Sequence, residues 1–439
     1  VLNGRVKAST HLTFLQEDST SCCEDFALLY DESRVISAGT DTWTLGDNPF
    51  GNTNAAVYIE NELRLQTGAV ITMNNMEFRF GPNGSLVIEP GARLIANNSV
   101  LTSSCNRRWK GIRVNGTTGN TLQSATAQGV LNLNSSRVEN AVTGVWAATV
   151  ASNNSTIGSG FGGRVQANNS LFLNNITGVK LESYHRFTSG GTPLANLSYF
   201  NNCDFVTNAQ WPDWGVNFPK FHAHLQQVDR IRFTNCSFRN DSYVYWTPTS
   251  QWGIGIFATS ATVNCTGNSD YANNRFANLN AGAMLMFNLS GVFINKVDGM
   301  GFANNMVGLY DWSDSDAWIT RNKFVTNQLA PNPPNLSAGM FIFASEGYTV
   351  ERNSFFTLPG STSLGCGIWF RGPAYYPNRI YDNLFDGNFS SCVVEGKHGS
   401  GQAWTTSGTQ GIYTGVGLEL LCNDHNNTIF DHFLSQGYT

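Results

Sequence analysis

The chain has 439 residues, 41% hydrophobic and 13% charged, with a net charge of −5 at neutral pH. That is ample apolar material for a core at about half the usual charge density, which excludes charge-driven disorder. No Lys/Arg-rich block appears, so a nucleic-acid partner is excluded, and the longest apolar stretches, such as Ala281 to Phe287, are far shorter than the roughly 20 residues that span a bilayer.

The chain opens on Val1 with no charged and apolar leader, which reads as a processed product or an excised piece whose export signal has gone. Residues 1–56 lack any repeat and are expected to cap the open edge of the first coil. Within them Cys22-Cys23 is an unusual adjacent pair. The nine cysteines are an odd number, so at least one thiol stays free or pairs outside the chain; no CxxC or zinc-finger spacing occurs.

From residue 57 to 101, short apolar runs broken by turn residues (Val57-Tyr-Ile59, Phe78-Arg-Phe80, Leu86-Val-Ile88) read as compact first coils. Beyond them a pattern recurs: a small residue or Asn, a variable residue, an apolar anchor, then Asn. The anchors are Val138, Phe172, Phe205, Phe238, Phe276, Phe302, Phe324, Phe355 and Phe385, spaced 34, 33, 33, 38, 26, 22, 31 and 30 residues apart. A second strand opened by Gly often follows, as in Gly144-Val-Trp146, Gly178-Val-Lys-Leu181, Gly282-Ala-Met-Leu285 and Gly308-Leu-Tyr310. No stretch has a capped helical period. Several strands per unit without crossover helices predict an all-β chain, a right-handed parallel β-helix of roughly ten or more coils over 57–439. A β-propeller needs four antiparallel strands per blade, and its Gly-His and Trp-Asp signatures are missing.

The 44 Gly and 50 Asn suit many tight corners. An Asn after each inward Phe tolerates a left-handed angle, and its amide can bond the equivalent Asn one coil away, a ladder at about 4.8 Å. Asn also occurs in 16 glycosylation sequons, several of which fall inside the coil motif. Cys203 and Cys236 occupy equivalent places and are expected to stack, as buried thiols or as a disulfide. Gly417 to Cys422 and Thr428 to Phe430 still read as coil, so the C-terminal end is expected to continue or to meet a partner.

Asn83-Gly-Ser-Leu-Val-Ile-Glu-Pro-Gly-Ala-Arg-Leu94, followed by Leu101 to Cys105 and Trp109-Lys-Gly-Ile-Arg-Val114, resembles the opening coils of large secreted β-helix proteins of Bacteroidota. The resemblance implies a pectate-lyase-type solenoid in exported, extracellular or cell-surface proteins, many of them cargo for type IX secretion. It implies no activity.

Three clusters could carry chemistry. Asp311, Asp314 and Asp316, with Asp298 before them and Arg321 and Lys323 after, could converge on calcium or a sugar, as a polysaccharide lyase or glycoside hydrolase acting on an acidic glycan would require; the alternative is a solvated loop. His222-Ala-His224, beside Lys220, would place two imidazoles on one side of a strand and could hold a metal ion; Lys397-His398 is a weaker candidate. Trp211, Trp214, Tyr243, Tyr245, Trp246 and Trp252 lie in the long loops of two consecutive repeats and could form a face on which sugar rings stack, or simply close the loops over the solenoid. Apart from calcium, no cofactor is expected. The leading expectation is a structural or adhesive module whose partner is an extracellular polysaccharide or surface glycan, or other protein subunits docking at the C-terminal end into a filament.

Overall fold

The computed structural model describes residues 29–51, 56–104, 107–150, 158–213, 216–242, 251–288, 293–326, 337–357, 365–372, 378–387, 390–395, 403–406, 409–412, 418–426, 428 and 430–435. It is a right-handed parallel β-helix with three faces. The first face is a sheet of thirteen parallel strands, from Gly39–Trp43 through Arg93–Asn97 to Leu418–Leu421. In a typical coil the chain leaves Arg93–Asn97, turns at Asn98, runs along a second face at Val100–Ser103 and enters a third at Gly111–Val114. Excursions leave between faces, some closed by small antiparallel hairpins such as Thr149–Val150 with Gly158–Ser159.

The repeat anchors form one interior column. In register from coil to coil run Phe78, Leu101, Val138, Phe172, Phe205, Phe238, Phe276, Phe302, Phe324, Phe355 and Phe385. From Phe172 to Phe385 consecutive rings are nearly parallel, 4.5–4.8 Å between centroids and 4–12° between planes. The spacing is the inter-strand distance itself, so each ring covers its neighbour without leaving the pleat. His425 continues the stack on Phe385 at 5.2 Å, a ring that the Phe-based motif does not reveal.

The glycines that open the third-face strands answer this column. A Cβ on Gly308 would lie 2.4 Å from the Gly339 carbonyl oxygen and 2.9 Å from Cδ1 of Phe324, so the corner closes over the ring only without a side chain.

Corner chemistry agrees with expectation in kind and differs in place. Asn140, Asn174, Asn278 and Asn304, just after the anchors, have φ of 54–58°. The longer amide ladders lie before the anchors: Asn74, Asn97, Asn134, Asn168 and Asn201 link side chain to side chain at 2.8–3.3 Å, and Asn322, Asn353, Asn383 and Asn423 at 3.0–3.1 Å.

Winding starts earlier than residue 57. Leu29–Ile36 pairs in parallel with Val57–Leu65 and Gly39–Trp43 with Ala69–Asn74, so residues 29–43 already form a coil. Trp109 of the Trp-x-Gly-Ile element is buried, stacked on Phe80 at 4.3 Å, with its indole N–H donating to the Glu139 carbonyl at 2.7 Å. Cys203 and Cys236 hold the same corner one coil apart as buried free thiols, donating to the carbonyls of Asn201 and Phe200. Cys22-Cys23 lies outside the described residues.

Candidate functional site on the third face

Along the third face, strict register turns one position per coil into an outward line. That line reads Arg64, Val87, Arg113, Trp146, Lys180, His224, Phe257, Met284, Tyr310, Phe341, Trp369 and Val393. Eight of its twelve residues lie two places after a strand-opening glycine, as in Gly308-Leu-Tyr310, Gly339-Met-Phe341 and Gly367-Ile-Trp369; Arg64, Val87, His224 and Val393 follow Glu62, Ser85, His222 and Ser391 at the same place. Alternation sends the middle residue inward and the third outward.

From Phe257 onward the line is apolar and half-buried. Tyr310 and Phe341 stack at 5.0 Å, Trp369 meets Phe341 edge-on at 5.2 Å, and beside them Trp312 and Phe343 meet at 5.7 Å. Burial raises the Tyr310 phenol above its ordinary pKa. Before His224 the line is charged. Arg113 and Lys180 sit over the ring of buried Trp146 at 5.2 and 3.9 Å, along a groove of about 760 Å³ that His224 and Lys220 close. One outward row thus presents a basic groove followed by aromatic rings.

The residues singled out in the sequence are placed otherwise. Asp311 is fully buried in the interior column Leu285, Asp311, Ile342, Phe370. Leu309 points inward, and Asp311, two residues on, shares its side. Neither Asp311 oxygen accepts a hydrogen bond of normal geometry. Burial, then the adjacent Asp314, push its pKa well up, so the carboxyl holds its proton to higher pH than a free one. Asp314 is buried at the corner, where burial also raises it although Asn295 donates to it at 2.6 Å. Asp316 is exposed, and Arg321 is bound outside the solenoid to Asp298, 2.6 Å away, which Lys296 also contacts at 3.2 Å. These carboxylates face the core, the corner and the solvent, and share no space in which a sugar could lie.

The two histidines part as well. His222 occupies a glycine place at the corner, buried between the rings of Phe205 and Phe238, 6.5 and 6.4 Å away; burial drives its pKa down to about 3. His224 lies outward against Phe221 and Phe257, lowered to about 4 by burial and then by Lys180. Both lie in the strand Phe221–Val228, but the expectation that i and i+2 share a side fails: residue 222 is buried while 224 is only half-buried.

Trp211 and Trp252 are buried. Trp211 covers the guanidinium of Arg108 at 4.0 Å, and Arg108 reaches Asp213 at 2.7 Å, which ties that loop to an earlier coil. Trp214, Tyr243, Tyr245, Trp246, Lys397 and His398 lie outside the described residues. The outward row was missed because its members are scattered about one repeat apart; aligning the strand-opening glycines reveals it.

Residues 216–417, under half of the chain, match the family described as periplasmic copper-binding protein (NosD). No curated protein matches the chain at a significant level. Among solved structures, the chain is similar to the Streptococcus pneumoniae surface protein and adhesin PfbA at 10% identity, covering 87% of this chain and 91% of that one with a TM-score of 0.31. A second structure of that adhesin gives 11% identity, 86% and 84% coverage and a TM-score of 0.30. Copper takes imidazole, thiolate and thioether ligands. Among the described residues no three His, Cys, Asp or Glu side chains gather to hold a metal, and in the matched span His222 is sealed between phenylalanines while Cys236 and Cys265 are buried thiols that burial keeps protonated. Among the described residues of that span, the donor set does not fit copper.

Proposed function

We propose that the protein is an exported β-helix of the cell surface or extracellular space that acts as a rigid adhesive scaffold, holding a glycan chain lengthwise on the third face. The observation that carries this reading is the outward row of half-buried apolar side chains from Phe257 to Trp369, four aromatic rings and Met284 over five coils. Tyr310 and Phe341 cover each other's faces at 5.0 Å, and the rigid apolar ridge that such side chains form along the axis suits an extended ligand of repeating units. The row is built into a sheet, so the rings are spaced by the backbone and little ordering is needed on binding. Export agrees with the periplasmic description of the family matched over residues 216–417. No arrangement of Asp311, Asp314 and Asp316 favours cleavage.

The test is binding to a panel of polysaccharides by the intact chain and by a Tyr310→Ala/Trp369→Ala variant. Binding that the variant loses, with no new reducing or unsaturated ends, is the expected result. Cleavage products, or equal binding by the variant, would refute the reading.

A further inference from the structure

The basic end of the outward row has an imbalance that the solenoid does not explain. In the groove, Glu62 and Glu89 are both engaged by Arg64, and Lys180 is paired with Glu182 at 2.9 Å. Glu182 also accepts from the Trp146 indole N–H at 2.6 Å, which fixes the ring. Among the described residues no carboxylate lies within ion-pair distance of Arg113, Lys110 or Lys220, which line the same groove. Arg113 is the most telling. Its Nη1 is sealed from solvent and has no hydrogen-bond partner, and burial lowers the guanidinium to about 10. A cation held out of water with neither carboxylate nor carbonyl is costly unless something else completes it. Asn115 supplies a second unfilled group, its Oδ1 buried and unpartnered while its amide donates to Glu89 at 3.0 Å.

The shape narrows the occupant. Arg113 and Lys180 flank the Trp146 ring in register, so the indole serves as the spacer between two cations. A guanidinium fork suits a planar carboxylate or a sulfate ester, the ammonium groups of Lys110 and Lys220 add charge without demanding geometry, and Asn115 Oδ1 can accept from a hydroxyl. The groove ends at His224, whose register partner one coil on, Phe257, starts the aromatic row. An anion there would be carried on the same chain that lies along the rings.

We infer that the groove over Arg113 seats an acidic sugar of that chain, its carboxylate or sulfate ester against the Arg113 guanidinium, flanked by Lys110 and Lys220, and its hydroxyls toward Asn115. This inference rests on the reading of the third face as a glycan-holding surface, and it names the charged unit and the end of the row that takes it.

The experiment is calorimetric titration of the intact chain with polygalacturonate, dextran sulfate and unsubstituted dextran at low and high salt. At least one charged probe should bind more tightly than dextran and weaken with salt, and Arg113→Gln should weaken it by roughly tenfold, about 1.4 kcal/mol. Binding of polygalacturonate alone assigns a carboxylate, and of dextran sulfate alone a sulfate. Should Arg113→Gln fail to fold by thermal melting, Lys110→Ala/Lys220→Ala carries the same expectation. Charged probes that bind no better than dextran, or variants within about twofold of the parent, overturn the inference. If a neutral glycan then still binds and is lost with Tyr310→Ala/Trp369→Ala, the adhesive reading stands without it.

Discussion

The coils before residue 150 and those after residue 300 follow the same three-faced path but fill and fasten it differently. In the early coils the anchor column holds Leu101 and Val138, and the turn into the second face pairs a left-handed Asn or Ser with a buried Ser: Asn98-Ser99, then Ser135-Ser136. Ser136 Oγ accepts from the Ser99 amide at 3.1 Å. In the late coils the anchors are Phe324, Phe355 and Phe385, the left-handed residue is Arg321, Arg352 or Asp382, and the next residue is always a buried Asn. The φ angle at this turn stays within 48–56° through both sets. The geometry is therefore the invariant, and side chains that satisfy it can be exchanged. In the late coils, where the left-handed residue is Arg or Asp, an amide one residue later carries the bonding. Asn353 accepts from the Asn322 backbone at 2.9 Å and donates to the Ile319 carbonyl at 2.8 Å.

The strongest way to break the comparison is in the column. Phe324→Ala should cost about 3–5 kcal/mol, because its stacked neighbours cannot collapse into the gap, whereas Val138→Ala should cost roughly 2 kcal/mol. Chemical denaturation measures the difference, and hydrogen exchange should place the opening at the coils beside residue 324. Equal costs would mean that ring stacking adds nothing to the late coils.

Next are the corners. Asn353→Ala strips partners from the buried Asn322 amide and the Ile319 carbonyl and should cost about 1–3 kcal/mol. Asn134→Ala removes a half-buried rung, the 2.9 Å donation to Asn97, and should cost about 1 kcal/mol or less.

A third test concerns acid and base. Unfolded, Asp311 would titrate near about 3.9, and in the fold it keeps its proton to higher pH. Folding therefore takes up a proton above that point, and stability falls as pH rises from about 4 until the folded carboxyl ionises. His222 acts in the opposite sense: it is neutral in the fold down to about 3, so its contribution is present above roughly 6.5 and is lost as pH falls from there towards about 3. Asp311→Asn should remove the alkaline loss and leave the acid loss, read as thermal midpoints across pH. An unchanged profile would mean that Asp311 is ionised in the fold.

The smallest effects lie outside. Arg352→Asn should stabilise by roughly 0.5–1 kcal/mol, because Asn accepts the left-handed angle of 53° at lower cost and the ion pair it removes is exposed. Arg321→Ala should cost under about 1 kcal/mol, since Lys296 still faces Asp298.

Much of the fold was legible because the anchor recurs with its flanking Asn, and a ring every coil leaves a plain trace. His425 escaped because it fills a phenylalanine place with a different ring. The candidate site was less legible. Asp311-Trp-Ser-Asp314 reads as a polar loop when viewed alone; counting alternately from Gly308 puts Asp311 inside. Trp211 and Trp252 read as a surface because they sit in long loops, and burial depends on what the loops fold against. The third-face row needs every coil in register before its members become neighbours, and no local window shows that.

Because each winding touches only the windings above and below it, length is a free variable of this architecture. Duplicating or excising a segment of about thirty residues would move every downstream surface along the axis by one strand spacing and leave its local environment intact. Reach could thus be lengthened or shortened in whole steps, and the distance between the basic groove and the last aromatic ring would change with it.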